Sequence, residues 1–121
     1  MSWEYSQYSG TLRRDGVVIY VGGYSGAGYA KDRPEMENLA NIGPIPRGTW
    51  TIGRAYRSRT KGEITMDLTP YGHSAHNRTN FRIHGDSISH PGNASEGCII
   101  LPFEMRKLIA ESGDHLLSVV R

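Results

Sequence analysis

Apolar and polar residues alternate along several short segments of the chain, a pattern that predicts half-buried β-strands. Glycine, proline, asparagine and serine stand between these segments and predict turns. The strongest turn signal is Asp15-Gly16, because this dipeptide joins neighbouring strands in two-residue hairpins. The predicted strands cover residues 3–8, 11–14, 17–21, 49–53, 63–69, 81–84 and 116–120, and residues 99–101 form a further strand or buried segment.

Two other segments are predicted to be helical. Residues 34–40 form one or two helical turns, with Pro34 at the first position. A longer helix runs from Pro102 to Gly113, since proline favours the start of a helix and glycine its end. The residues of this helix predicted to face the sheet are Met105, Leu108, Ile109 and Ser112.

Composition supports a mainly β protein. The 121 residues are enough for a single domain, 1–121, and they include 15 glycines and 6 prolines, which suit short strands and turns better than long helices. The net charge is +2 and the basic residues are dispersed, which argues against a nucleic-acid-binding protein. No apolar run approaches the ~20 residues of a membrane span. Residues 1–5 lack the features of a signal peptide.

Two polar or glycine-rich segments are predicted to be loops. Residues 22–28 are rich in glycine, but the lysine and hydroxyl residue of a phosphate-binding loop are missing. We therefore expect a surface loop near the functional cleft, with a flexible connector as the alternative. In residues 71–80, the spacing of His73 and His76 permits a metal site, although no further ligands lie nearby in the sequence. Arg78 in the same segment either contacts a substrate carboxylate or is a solvated surface residue.

The candidate site is centred on Cys98, the only cysteine, which excludes an internal disulfide. A polar loop separates it from His84, which lies where a predicted strand ends. A thiolate is a strong nucleophile, and a nearby imidazole can hold its proton. Gly97 lets a substrate approach the backbone, and the amides of residues 97 and 98 are candidate oxyanion donors. The pattern predicts a catalytic pair, with an inert buried thiol as the alternative.

Neighbouring polar residues each have more than one possible role. His90 competes with His84 as the base, or it contacts substrate or faces water, but a base needs a fixed position and His90 lies within the loop. Asp86 either orients the imidazole of His84 or braces the loop. Ser95 either forms a hydrogen bond near the thiol or satisfies the loop backbone.

These motifs resemble those of a known family. Ile83-His84-Gly85, followed by Ser-Glu-Gly-Cys-Ile at residues 95–99, resembles the signature of the L,D-transpeptidase (YkuD-type) catalytic domain. Residues 41–53 resemble the segment ahead of the core in the same family. With residues 24–28 and the start Trp3-Glu4-Tyr5, the chain resembles in particular the small L,D-transpeptidase effectors delivered by type VI secretion systems.

The resemblance implies a YkuD-like fold, which is a β-sandwich or barrel of short strands with a short helix before the core and one C-terminal helix. It implies an enzyme without a cofactor or metal, with L,D-carboxypeptidase and L,D-transpeptidase activity, including D-amino acid exchange, on tetrapeptide stems of peptidoglycan. In that reaction Cys98 attacks the third residue of the stem and His84 is the base, oriented by a backbone carbonyl. The other residues expected at the site are Gly97 and Ser95, with substrate contacts at Gly85, Asp86, His90, Arg78 and Tyr24.

Two positions depart from the family pattern. Glu96 stands where many members have histidine, and Ile100 stands where many cell-wall enzymes have an arginine that is thought to bind the peptide carboxylate or brace the site. The substrate pose of those enzymes is therefore not carried over, whereas the Cys98–His84 chemistry is.

The resemblance further implies partners and a place of action. A toxin of this kind acts on peptidoglycan in the periplasm of a target bacterium, and a monomer is expected for a chain of this size. It is delivered by a secretion-system component and is neutralised in the producing cell by an immunity protein. Two other function classes remain open: a non-catalytic cell-wall binding module on the same scaffold, and a zinc hydrolase that uses His84, His90 and Cys98.

Overall fold

The computed structural model describes residues 2–121, which form a mostly β structure with one α-helix. The strands are β1 (Trp3–Ser6), β2 (Thr11–Arg14), β3 (Val17–Val21), β4 (Tyr24–Ser25), β5 (Gly48–Ile52), β6 (Tyr56–Ser58), β7 (Gly62–Tyr71), β8 (Phe81–His84), β9 (Ile99–Ile100) and β10 (Leu116–Val120). Helix α1 covers Phe103–Glu111, and 3₁₀ turns lie at Gly28–Ala30, Pro34–Met36 and Ala75–Asn77. None of the helices in this part of the chain is long and apolar enough to cross a membrane.

The sheet curls until its two outer strands approach each other. The strand order is β3-β2-β1-β10-β5-β7-β8-β9-β4, with β6 paired to β7, so β3 and β4 lie at opposite ends of the order. Only Gly22 and Gly23 join these two strands, and the Gly23 N–H donates to the Gly10 carbonyl at 3.0 Å. Glycine is needed at this closure, because a Cβ at Gly23 would lie 2.9 Å from Leu101. The curled mixed sheet agrees with the predicted sandwich or barrel.

The core is built around a parallel pair of strands from the two ends of the chain. In β1 and β10, Trp3 lies opposite Leu117 and Tyr5 opposite Val119. These four side chains are buried, because alternate residues of both strands face the same side of the sheet. The other large, fully buried apolar side chains are Leu12, Ile45, Trp50, Met66, Ile83, Ile99 and Leu101.

The predicted strands are present, but the structure adds two that the sequence does not indicate. Tyr24–Ser25 pairs with β9, so the predicted loop over 22–28 is wrong at these positions. Tyr56–Ser58 pairs with β7. Strands of two or three residues are too short to show an alternation. β7 also continues through Pro70, which lies beyond the stretch paired with β8, at a free edge where a proline is tolerated.

The predicted helices are found with changes. α1 lies between Pro102 and Gly113 as predicted, and Ile109 is buried. Leu108 is exposed, contrary to its predicted place on the inner face, and Arg106 is buried in its stead. The short helix before the core is a single 3₁₀ turn at Pro34–Met36.

Candidate active site

His84 and Cys98 lie on the same face of the sheet because β8 and β9 pair in parallel. His84 is the last residue of β8, and Cys98 directly precedes β9. The register sets Ile83 against Ile99, so Cys98 falls beside Arg82. Side chains alternate between the faces of a strand, and Arg82 and His84 therefore share a face. Strand pairing thus places the two predicted catalytic residues on the same face of neighbouring strands, offset by two positions in the register.

His84 is held as a neutral imidazole with its Nε2 atom free. The residue is 1% exposed, and its Nδ1–H donates to the Gly85 carbonyl at 2.8 Å. This bond leaves Nε2 unprotonated, and within residues 2–121 that buried atom has no hydrogen-bond partner. Burial lowers the pKa of His84 to about 4, although the bond to Gly85 opposes the shift. Nε2 can therefore accept a proton.

The Cys98 thiol is buried and protonated at rest. Burial raises its pKa, against the opposing effects of the Arg82 N–H and the charges of Lys61 and Arg82. The Sγ atom lies 3.7 Å from the Asn80 carbonyl oxygen, which accepts the S–H. Asn80 has a φ of +66°, a left-handed conformation that asparagine tolerates. Since the Nε2 atom of His84 has no partner, the Cys98 and His84 side chains are not hydrogen-bonded to each other.

Two buried serines hold the turn that presents Cys98. The Ser95 hydroxyl donates to the Cys98 carbonyl at 2.7 Å and accepts the N–H groups of Gly97 and Gly26 at 3.0 and 2.9 Å. The Ser25 hydroxyl on β4 donates to the Gly97 carbonyl at 2.9 Å. Of the two roles predicted for Ser95, satisfying the loop backbone is the one observed. The Gly97 amide is engaged with Ser95 and is not available to an oxyanion.

Gly97 is required by both its conformation and its surroundings. Its φ is +137°, which favours glycine over any residue with a side chain. A Cβ at this position would lie 2.6 Å from the guanidinium group of Arg78 and 3.0 Å from the ring of Phe81. The residue before the thiol therefore packs directly against Arg78.

Arg78 is a clamp on the backbone around this turn. The carbonyl groups that accept its N–H groups, at 2.6, 2.9, 2.8 and 3.1 Å, are those of Glu37, Gly43, Pro44 and Glu96. Its guanidinium also lies over the Phe81 ring, 5.0 Å from the centroid. These bonds use both terminal nitrogens, so the predicted contact with a substrate carboxylate would have only the Nε–H left.

Tyr24 and Asp86 brace the polar loop before Cys98. The Tyr24 hydroxyl donates to the Asp86 carboxylate at 2.6 Å and accepts the Ala94 N–H at 2.9 Å. Burial raises the pKa of Tyr24 to about 12, so the hydroxyl remains a donor. The same carboxylate accepts two backbone N–H groups of the loop. Asp86 is therefore observed to brace the loop, whereas a backbone carbonyl orients the imidazole of His84.

Gly85 packs against Arg106 of α1. A Cβ at Gly85 would lie 2.7 Å from the Arg106 guanidinium, so any larger residue would displace that group. Arg106 donates to the carbonyls of Leu101 and Glu63. After burial, the positive charges of Lys61 and Arg106 also contribute to the low pKa of His84.

The remaining histidines do not gather around the thiol. His90 is exposed, and its Nδ1 pairs with the Ser89 hydroxyl at 3.1 Å. His73 bonds to the Thr49 carbonyl, and His76 bonds to a carboxylate, so the two do not share a partner. Across residues 2–121 there is no group of three or more histidine, cysteine, aspartate or glutamate side chains placed to hold a metal ion.

One cavity opens beside Cys98 and another beside His84. One, of about 490 Å³, is lined by Cys98, and the other, of about 630 Å³, by His84. Lys61 and Glu96 line both, and they therefore border both the space beside Cys98 and the space beside His84.

Residues 20–115 match the family model of the Tlde1 domain. The chain belongs to the Tlde1 family. No curated protein matches the chain. Solved L,D-transpeptidases share the fold of this Tlde1 domain. L,D-transpeptidase 1 of Mycobacterium tuberculosis has a TM-score of 0.57 at 16% identity over 99% of the chain. An L,D-transpeptidase from Mycobacterium smegmatis has a TM-score of 0.52 at 18% identity over 99% of the chain.

The Tlde1 domain spans about three-fifths of these structural relatives, 61% of the M. tuberculosis chain and 58% of the M. smegmatis chain. At this level of identity the likeness shows the fold. The resemblance to the L,D-transpeptidase catalytic domain, read from the sequence motifs, is confirmed for the family and the fold.

The Tlde1 domain also has site residues that the sequence does not single out, namely Ser25, Lys61, Asn80, Arg82 and Arg106. Ser25 and Asn80 act through backbone contacts that only the folded chain creates. Arg106 lies three residues from both Phe103 and Ile109 in α1, a helical spacing that was a signal of its place on the inner face, but a charged residue is rarely expected there. Arg82 alternates with Phe81 and Ile83 in β8, and this spacing is the one signal that could have placed it on the face of His84.

Proposed function

We propose that the chain is a cysteine acyl-transfer enzyme that acts on peptidoglycan stem peptides. The observation that carries the proposal is the His84 Nε2 atom, which is buried, unprotonated and unpartnered on the face of the sheet that also presents Cys98. A residue with only a packing role does not need a free proton acceptor in a cleft. Membership of the Tlde1 family and the L,D-transpeptidase fold support the same conclusion.

The donor is a tetrapeptide stem, and the bond cleaved joins its third residue to the terminal D-alanine. Attack begins when the S–H of Cys98 turns from the Asn80 carbonyl toward Nε2 of His84. The proton moves to Nε2 while the Sγ–carbon bond forms at the carbonyl of the third residue. The amide of Cys98 stabilises the oxyanion, because the neighbouring Gly97 amide is engaged with Ser95.

The tetrahedral intermediate then collapses. The carbon–nitrogen bond breaks, the His84 imidazolium returns its proton to the leaving nitrogen, and D-alanine departs from a thioester on Cys98. Water attacks the thioester in L,D-carboxypeptidase activity, whereas an amine attacks in exchange or cross-linking. In each case His84 takes the proton of the attacking group and returns it to Sγ, which restores the thiol. No cofactor takes part.

The proposed setting follows from the family. The enzyme is an antibacterial effector delivered by a type VI secretion system into the periplasm of a target bacterium, where it alters the stems needed for normal cross-linking. The producing cell is protected by a cognate immunity protein. The chain works as a monomer.

The test is to incubate the protein with purified disaccharide tetrapeptide and to follow the products by mass spectrometry. The wild type is expected to release one D-alanine. Cys98→Ala removes the nucleophile and abolishes release, and His84→Ala lowers it by about 10²–10⁴-fold, the usual contribution of a general base. His90→Ala is the matched control, since it removes an exposed histidine of the same loop, and it retains wild-type turnover.

The result also separates the two histidines proposed as base. Loss of turnover in His90→Ala with retention in His84→Ala would reverse the assignment. Binding of stem peptides by the folded protein, with no release from any stem, would favour the alternative of a cell-wall binding module. Melting curves of each variant show whether it is folded.

A further inference from the structure

Lys61 lies at the junction of the two cavities. It lines both of them, next to Cys98 in one and His84 in the other. The residue is half-buried in the turn between β6 and β7, and its N–H donates to the Ser58 hydroxyl at 3.0 Å, which fixes the turn. Lys61 thus brings a positive charge to the border between the cavity of the thiol and the cavity of the imidazole.

The charge of Lys61 is not used elsewhere in the described chain. Among the ion pairs of residues 2–121, none includes Lys61, although Glu96 lines the same cavities. Arg82 adds a second positive charge to the cavity of Cys98. Its Nε–H is shared between the Tyr56 hydroxyl and the Asp67 carboxylate, each at 3.2 Å, which holds its side chain in place.

The proposed reaction requires an anion at this point. In the donor stem, the nitrogen of the scissile bond belongs to the terminal D-amino acid, whose free α-carboxylate is only two bonds farther along. When the scissile carbonyl contacts Cys98 and His84, that carboxylate must therefore lie in the adjoining space. A lysine ammonium binds such a carboxylate through a charge-assisted hydrogen bond.

We propose that Lys61, with Arg82 beside the thiol, binds the terminal α-carboxylate of the departing D-amino acid. The inference rests on the proposed function and adds a determinant of specificity to it. Lys61 would take over the role of the arginine in the related cell-wall enzymes, because the position of that arginine is occupied here by the apolar Ile100. The enzyme is thereby limited to stems that end one residue beyond the scissile bond, because an amidated or longer stem has no carboxylate at this place.

The experiment compares two substrates in three proteins. The substrates are the tetrapeptide stem and the same stem with its terminal carboxyl converted to the amide. The proteins are wild type, Lys61→Met, and Arg59→Met, a control that removes an exposed cation from the same turn without lining either cavity. The measured quantity is the ratio of kcat/KM for acid to kcat/KM for amide, in which any effect on thiol reactivity cancels.

We expect the wild type to prefer the acid and Lys61→Met to lose at least about tenfold of that ratio, the usual effect of removing a hydrogen bond to a charged group. Arg59→Met keeps the ratio. Equal losses on both substrates, or no loss, in Lys61→Met would overturn this inference while leaving the proposed function standing. Release of neither D-alanine nor its amide by the wild type would overturn the proposed function, and this inference with it.

Discussion

At the scale of single residues, the site is a pair of neutral groups. Burial raises the pKa of the Cys98 thiol and lowers the pKa of His84 to about 4, and each shift disfavours the charged form. The resting site therefore holds a thiol and an imidazole, not a thiolate and an imidazolium. In the proposed reaction, proton transfer accompanies attack on the substrate, and the buried thiol is shielded from unselective reaction with other electrophiles.

The neutral pair predicts a specific pH dependence. Protonated His84 cannot accept the thiol proton, so kcat/KM falls as the pH drops through about 4, the pKa of this residue in the free enzyme. Alkylation of Cys98 by iodoacetamide needs the thiolate, and it rises with pH over a range above that of an ordinary cysteine. Both profiles can be recorded on the wild type. An alkylation rate that is already constant below pH 7 would show an ion pair instead.

At the scale of elements, the two-residue strand β9 depends on its neighbours for its position. Ser25 from β4, Ser95 from the loop and Arg78 from the segment before β8 all bond to the backbone of residues 95–98. Such a short strand has few ladder hydrogen bonds of its own. These hydrogen bonds therefore fix the position of Cys98 relative to β8.

Replacing Arg78 tests the strongest of these clamps. Arg78→Ala leaves four backbone carbonyls without their donor and is expected to lower the free energy of unfolding by about 2–4 kcal/mol. Arg78→Lys recovers part of this loss, because an ammonium can serve three acceptors at most. Urea unfolding measures both. The control is Arg33→Ala, which removes an exposed arginine four residues before the acceptor Glu37 and changes stability by less than about 0.5 kcal/mol.

A small effect in Arg78→Ala would contradict the clamp and return Arg78 to the predicted role of carboxylate contact. That role is then tested by the same ratio of acid to amide turnover that is used for Lys61.

The elements also show how much of the structure can be predicted from the sequence. Alternation reveals the longer strands, and proline and glycine mark the ends of α1, because these signals are local. Cys98 and His84 are recognisable because each lies at the end of a predicted strand beside a glycine. The hydrogen bonds of Arg78 to the backbone could not be predicted, since the acceptors lie at residues 37, 43, 44 and 96 and only the fold brings them together. The same holds for β4 and for the bond between Tyr24 and Asp86.

At the scale of the whole molecule, one curled sheet carries both the core and the site. The catalytic strands β8 and β9 lie at one end of the strand order, and the β1–β10 pair lies nearer the other. β8 is connected to the core through β7, β5 and β10 in succession. A substitution that weakens packing in these central strands therefore destabilises the whole sheet, including the site. Unfolding is therefore expected to be a single cooperative transition.

Two adjacent leucines in β10 test this. Leu117 is 1% exposed and Leu116 is 42% exposed, so Leu117→Ala is expected to lose about 2–5 kcal/mol of stability and Leu116→Ala less than about 1 kcal/mol. Tryptophan fluorescence follows the core, and the alkylation rate of Cys98 follows the site, as urea is added to Leu117→Ala. The two midpoints should coincide. Separate midpoints would mean that the site unfolds independently of the core.

The side-by-side pairing of β1 and β10 has a consequence for synthesis of the protein. Of the strands described, β1 is synthesised first and β10 last, and contacts between residues so far apart in the chain form slowly. Until β10 emerges, β1 has only β2 beside it and β5 has only β7. The nascent chain therefore cannot complete the sheet that supports Cys98 and His84. The arrangement of Cys98 and His84 therefore forms only after β10 has been translated, so a nascent chain that lacks β10 does not yet have the proposed site.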